Sequence, residues 1–443
     1  MKVLAVFALA LGACAPAPHA GPNVLFVLID TLRADRLQVY GGRDGLTPGL
    51  DRLAEESLVF EQAWSTTSWT LPSMATLLTS NHGAQHGAWL AGVPLGQGID
   101  TLPEIFRAQG YRTAAFTGGG WMRREFGLNR GFEVFEDDVE PIEQATEKVR
   151  SYVAAAGDEP WFVLLHTYEV HAPYAPPADV AESLRAAHPE VLTGGSADPL
   201  DFQQAVVENG GVVPAAVARG LEAAYNAEVR HADRVLSELV DWLRERGELE
   251  NTLLIVTSDH GEEFGEHGVL GHSDSLYAEQ LRVPWLMRLP GAATVGERDS
   301  RPVSQLDFAP TVLEAAGLGG LLPETTFDGT SLLSGSAPSP IYATRNHEEA
   351  GLLEAFCDGS WVWIQGAYRW PRAESGSELY DLEGDPAQRE NLAGEESASD
   401  RALRLRAACE RLGTRYGELR AQSESAVDLG GELGENLKDL GYL

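Results

Sequence analysis

Uninterrupted runs of apolar, β-branched and aromatic residues punctuate the chain at Asn23 to Ile29, Trp161 to Leu165 and Thr252 to Ser258. A strand that is apolar on both sides is one buried on both faces, as in a parallel sheet. Leu58 to Phe60, Tyr111 to Phe116 and Arg282 to Met287 add shorter strands. Between them the apolar period changes to that of a helix. Thr47 caps and Pro48 opens a helix through Leu50, Leu53 and Ala54; Leu102 to Gln109 stops at Gly110; and Leu221, Tyr225, Ala232, Leu236, Leu239 and Leu243 form a stripe that ends near Gly247. Strands alternating with helices over about 22–335 predict an α/β fold with a largely parallel central sheet flanked by helices. Residues 178–215 read as an irregular insertion near the mouth of a site. From about 336 the pattern changes to short strand-like pieces, Ile341 to Ala343, Trp361 to Ile364 and Leu379 to Leu382, and a charged helix from Ser397 to Leu419. This predicts a smaller C-terminal α+β subdomain over 336–443, whose acidic end from Gln422 is expected to be loosely held.

The first 21 residues have a different character. Lys2, an apolar run from Val3 to Leu11 and then Leu11-Gly12-Ala13-Cys14 resemble a bacterial lipoprotein signal, followed by a tether from Ala15 to Gly21. The expected product is a chain anchored in the bacterial cell envelope, on the periplasmic side or cell surface, and touching membrane only through lipid on Cys14. That leaves Cys357 and Cys409, whose pairing the sequence does not decide. A net charge of −33 argues against nucleic-acid binding and leaves an anionic substrate dependent on local cations.

The polar residues that interrupt the apolar pattern carry the candidate chemistry. Asp30 follows the first buried strand, and Asp259-His260 follow the strand that begins at Thr252. In a parallel sheet such positions share one edge, where ligand sites form. Thr70 precedes Pro72, Met74, Leu77 and Leu78, a helix start with proline in its first turn. Its hydroxyl can act as a cap, or face an anion at the positive end of the helix. Two carboxylates, an imidazole and a hydroxyl together suit one divalent metal ion, Mn²⁺, Zn²⁺, Ca²⁺ or Mg²⁺, which would make the alcohol a nucleophile.

These residues and others occur in an order that resembles the sulfatase family, within the alkaline phosphatase superfamily. The resemblance is carried by Asp30-Thr31-Leu32-Arg33-Ala34-Asp35, Thr70-Leu71-Pro72-Ser73, His171-Ala172-Pro173-Tyr174, Thr257-Ser258-Asp259-His260-Gly261-Glu262 and Gly271-His272. Leu379-Tyr380-Asp381-Leu382, Asp385-Pro386 and Glu390-Asn391-Leu392 extend it toward the C-terminus. It implies an alkaline phosphatase-like fold, a metal held by Asp30, Thr70, Asp259 and His260, Thr70 at the nucleophile position, and His171 and His272 at the anion or its leaving oxygen. It implies no cofactor beyond the metal.

The departures are equally specific. Sulfatases proper carry a Cys or Ser that is oxidised to formylglycine, with an Arg downstream; here Thr70 and Met74 stand at those positions. Thr31 follows Asp30 where calcium sulfatases repeat Asp, and His260 replaces an Asn, which shifts the expectation toward Mn²⁺ or Zn²⁺. Thr117-Gly118-Gly119-Gly120 lacks a Lys and a His, so Arg123 or Arg124 is a candidate to supply the anion contact. The resulting expectation is a hydrolase of sulfate or phosphate/phosphonate esters that uses Thr70 without formylglycine, on an anionic ester, with glycans and lipids as candidate substrates. A covalent sulfo-threonine is hard to release, which favours phosphorus esters. The alternatives are a transferase of phospho-groups to envelope glycans or lipids, and a non-catalytic binding protein.

Overall fold

The computed structural model describes residues 21–43, 45–192, 197–292, 296–347, 351–367, 375–418 and 426–440. The lipoprotein signal, Cys14 and most of the tether lie outside them.

Eleven strands precede residue 305: β1 Asn23–Ile29, β2 Leu58–Trp64, β3 Arg112–Phe116, β4 Val134–Glu136, β5 Trp161–Thr167, β6 Thr252–Thr257, β7 Glu263–Phe264, β8 Leu270–Gly271, β9 Arg282–Val283, β10 Trp285–Arg288 and β11 Arg298–Ser304. Nine of them form one sheet, in the order β11-β2-β10-β6-β1-β5-β3-β4 with β9 beside β2; β7 and β8 pair separately. The sheet is largely parallel, and only β9 and β10 run against their neighbours.

The uninterrupted apolar runs are explained by two cores. Leu25, Val27 and Ile29 of β1 join Leu254 and Val256 of β6 in one cluster, which includes the stripe of the long helix Ala215–Glu245. Val24, Phe26 and Leu28 join Leu253 and Ile255 in the other, with Leu71, Met74, Leu77 and Leu78 of the helix Thr70–Thr79. Successive side chains point to opposite faces, so each central strand feeds both cores. Each large aliphatic side chain buried this way contributes about 1.5–3 kcal/mol relative to exposure. Met74, at the position where the family resemblance leads one to expect an Arg, is fully buried in the second core.

The C-terminal region is a four-stranded antiparallel sheet, β12 Ile341–His347, β13 Gly351–Cys357, β14 Trp361–Ala367 and β15 Ser375–Asp381, covered by the helix Ser399–Glu418. Cys357 and Cys409 are both buried and both free. They lie in separate apolar clusters, so they do not pair.

Three regions differ from the sequence expectation. The 178–215 segment contains the helices Ala178–Ala187 and Gln203–Glu208 and a 3-10 turn Pro199–Phe202, because its alanines favour helix where little periodicity is visible. β11 is polar on its exposed side and pairs only with β2, so no apolar run marks it. Part of the acidic end is seated: Gly431–Asp439 is a helix whose Leu433 and Leu437 are buried in the second core, while residues 422–425 and 441–443 lie outside the described residues. Among the described residues no helix is long and apolar enough to cross a membrane.

Candidate functional site

Register explains why distant residues meet. Leu28 of β1 is level with both His166 of β5 and Thr257 of β6, all in parallel strands. Asp30 and Asp259 each lie two residues beyond that level, on adjacent strands, and two residues on means the same face. His166, Asp30 and Asp259 therefore share the face covered by the Thr70 helix.

Thr70 is the first residue of that helix, and Trp69 is its cap, with no side-chain capping bond. The hydroxyl serves the cluster instead. It donates to Asp30 Oδ2 at 3.2 Å and lies 3.5 Å from His260 Nε2. Asp30, Asp259 and His260 each present a ligand atom, all within 4.8 Å of one another, and all three side chains are fully buried. The first turn of a helix also directs backbone N–H groups and positive potential toward this point.

The surrounding bonds fix each member. Asp259 Oδ1 accepts from the backbone N–H of Thr31 at 3.2 Å and of His260 at 2.9 Å. His260 Nδ1 donates to the Gly261 carbonyl at 2.9 Å, which leaves Nε2 as a lone pair, 3.2 Å from Asp259 Oδ2. Thr31 itself holds a left-handed backbone, φ 55°, unfavourable for a β-branched residue. It is pinned by its hydroxyl to Val170 and by its carbonyl to the Tyr225 hydroxyl. Ser73 Oγ and Gln305 Nε2 both donate to the Asp259 carbonyl, at 2.7 and 2.8 Å, and Gln305 Oε1 lies 2.9 Å from Ser73 Oγ.

The donor set can be tested against a cation directly. Asp30 Oδ1 and Asp259 Oδ2 are buried oxygens without a hydrogen-bond partner. Buried acceptors of this kind are costly, and two carboxylates and an imidazole lone pair facing one another repel unless a cation or a proton lies between them. Without a cation, burial and the Asp259 charge raise the Asp30 carboxyl well above its usual range. Burial also pushes Asp259 up, but the His260 and His166 rings outweigh it and keep Asp259 low. The residues therefore fit a divalent ion with oxygen and nitrogen ligands.

His171 and His272 adjoin the cluster. The His272 ring lies 4.6 Å from that of His260 and 4.9 Å from that of His171, centre to centre. His272 Nδ1 lies 3.1 Å from Glu262 Oε1, and the Tyr174 hydroxyl donates to Glu262 Oε2 at 2.9 Å. Burial lowers His171 to about 3 and His272 to about 4, so both rings are neutral at pH 7, and it raises Glu262 to about 7. Beside them opens a cavity of about 130 Å³.

One member was not foreseen. His166 Nε2 lies 3.3 Å from Asp30 Oδ2 at the end of β5, and the available signal was its place in the run that ends that strand. Arg124, suggested for the anion, is tied to Asp137 at 3.2 Å, and Arg123 faces Glu432 at 3.8 Å; neither lines the cavity.

Known proteins align with this chain over most of its length. The chain is 24% identical to the uncharacterized sulfatase YidJ of Escherichia coli (strain K12), over 84% of this chain and 83% of that one. It is 27% identical to the multifunctional alkaline phosphatase superfamily protein PehA of Trinickia caryophylli, over 84% and 91%. The solved phosphonate monoester hydrolase SpPMH from Silicibacter pomeroyi superposes with a TM-score of 0.69 at 20% identity, covering 89% of this chain and 96% of that one. With the Sulfatase family model matching residues 22–318, this chain belongs to the sulfatase family.

Proposed function

We propose that the protein hydrolyses phosphate or phosphonate esters through a covalent intermediate on Thr70, without formylglycine. The observation that carries this reading is the Thr70 hydroxyl, buried at a helix start and bonded to Asp30 Oδ2 at 3.2 Å. Threonine cannot give the aldehyde, so the alcohol itself attacks.

Asp30, Asp259, His260 and Thr70 would hold one divalent ion, with Mn²⁺ and Zn²⁺ favoured by the imidazole. When bound, that ion lowers the hydroxyl pKa and offsets charge on the ester oxygens. Thr70 Oγ passes its proton to Asp30 Oδ2 and forms a bond to phosphorus while the ester P–O bond breaks, and the departing oxygen takes a proton from His272. The burial that keeps His272 neutral in the free site is opposed once an anion lies against the ring, and Glu262 at Nδ1 supports the charged form. Water then cleaves the Thr–O–P bond, returning the hydroxyl and releasing the acid. Water displaces a sulfo group from a simple alkoxide far less readily, which is why phosphorus esters are favoured over sulfates.

The deciding experiment is a panel of p-nitrophenyl sulfate, phosphate, phosphodiester and phosphonate esters with Mn²⁺, Zn²⁺, Ca²⁺ and Mg²⁺. Turnover of a phosphorus ester that disappears in Thr70→Ala supports the reading. Turnover confined to sulfate removes the substrate assignment. No turnover, together with no metal in the purified protein, favours a binding-only protein. Envelope anchoring through Cys14 is a separate proposal, read by mass spectrometry of the mature N-terminus: an unmodified Cys14 rejects it.

A further inference from the structure

The C-terminal helix Gly431–Asp439 is seated beside the site by four separate contacts. Leu433 and Leu437 are buried in the core that also holds Trp69 and Trp121. Asn436 Oδ1 accepts the Gly120 N–H at 2.6 Å, and the Val427 N–H donates to the Gly92 carbonyl at 2.8 Å. Gly120 makes the approach feasible. It holds φ 55°, and a Cβ there would stand 2.5 Å from Leu440 Cδ1 and 2.7 Å from the Tyr168 hydroxyl oxygen. The seat delivers Leu440 to the cavity lined by His171 and His272, which Leu200 and Leu270 also line. Among the described residues that line it none is a lysine or arginine, whereas Asp198 and Asp274 do line it, the latter 3.4 Å from Arg345.

We infer that Leu440 is a specificity-determining residue, forming with Leu200 and Leu270 an apolar wall that holds the organic portion of a singly charged ester. The class is a phosphodiester or phosphonate monoester with an aryl or alkyl group, rather than a polyanionic glycan. A second anionic group in this cavity would meet the Asp198 carboxylate, while the Arg345 charge is already engaged by Asp274 at 3.4 Å, in a chain of net charge −33. An apolar group instead displaces water from half-buried Leu440. The inference uses the proposed site only to place the reacting group, and its test does not depend on Thr70 chemistry.

Calorimetric binding of two inert anions to the Mn²⁺-loaded full chain separates the cases. Phenylphosphonate carries the organic group and methylphosphonate lacks it. In Leu440→Ala, phenylphosphonate affinity is expected to fall roughly three- to tenfold, the scale of losing part of a leucine contact, with methylphosphonate unchanged. Leu440→Met, which keeps the apolar volume, is expected to bind phenylphosphonate as the parent chain does. Asn436→Ala, which loosens the seat and leaves the wall residue in place, is expected to weaken phenylphosphonate selectively. Equal affinity of the parent chain for both anions, no binding of either, or the same change for both in Leu440→Ala would each overturn the inference. Thr70→Ala reports separately: retained turnover there sinks the nucleophile reading and leaves the Leu440 result standing.

Discussion

The cluster around Thr70 and the cavity next to it are built by opposite means. The cluster comes from strand ends and a helix start, and its members are held by buried, short-range bonds such as Thr31 N–H to Asp259 and His260 Nδ1 to Gly261. The cavity wall comes from connecting segments and from the chain's far end, Asp198, Leu200 and Leu440. The first is set by sheet register. The second is set by whatever is seated over the sheet edge. Chemistry on this fold is thus the rigid part, and substrate choice is the part open to change.

The largest expected effect breaks the rigid half. Thr70→Ala should lower kcat by about 10⁴-fold or more while metal content stays close to that of the parent chain, since three ligands remain. Steady-state kinetics with elemental analysis on the same sample checks both. Asp259→Asn should act the other way round, weakening metal binding by at least about a hundredfold, visible in a chelator competition. If metal affinity survives Asp259→Asn, the ion is not where the cluster puts it.

His272→Ala sharpens the border between the halves. Loss of a leaving-group acid should cost about 10²–10⁴ in kcat for esters with poor leaving groups, and far less for p-nitrophenyl esters, whose departing oxygen needs no proton. Equal losses on both substrate types would make His272 a structural residue. Gln305→Ala tests how rigid the cluster is. It strips partners from the Ser258 and Asp259 carbonyls and from the Ser65 and Ser73 hydroxyls. Chemical denaturation should register about 3 kcal/mol of lost stability.

The smallest effect concerns Glu140, beside Thr167 and Tyr168 at the end of β5. Burial raises its carboxyl from 4.5 to about 7, although it accepts the Tyr168 N–H. The folded state therefore holds the proton more tightly than the unfolded chain. Stability should fall as pH rises from about 4.5 through about 7 and then level off. Glu140→Gln should reduce that slope, to which buried Glu262 also contributes, raising the unfolding midpoint at pH 8 by a few degrees relative to the parent chain while changing little at pH 4.5. An unchanged slope would assign the pH dependence to other groups.

What the sequence made legible follows the same division. The buried strands announce themselves as apolar runs because two cores compete for alternate residues of β1, β5 and β6. Asp30 and Asp259 stand out because each breaks such a run at its carboxyl end, and the six candidate side chains do lie together. His166 directly follows the run Trp161 to Leu165, but β5 continues through it to Thr167, and nothing else in the sequence singles it out from its neighbours. β11 and the final helix were missed for another reason. Their residues are polar or glycine-rich, and their places are decided by partners far away in sequence: β2 for one, Gly120 and the second core for the other.

Crystals grown with Mn²⁺, and diffraction recorded on either side of the manganese absorption edge, test the central claim most directly. The account predicts one anomalous peak bounded by Asp30, Asp259, His260 and the Thr70 oxygen. A peak at the more exposed Glu143, Glu169 and His231 group with none at Thr70, or no bound manganese at all, would contradict it.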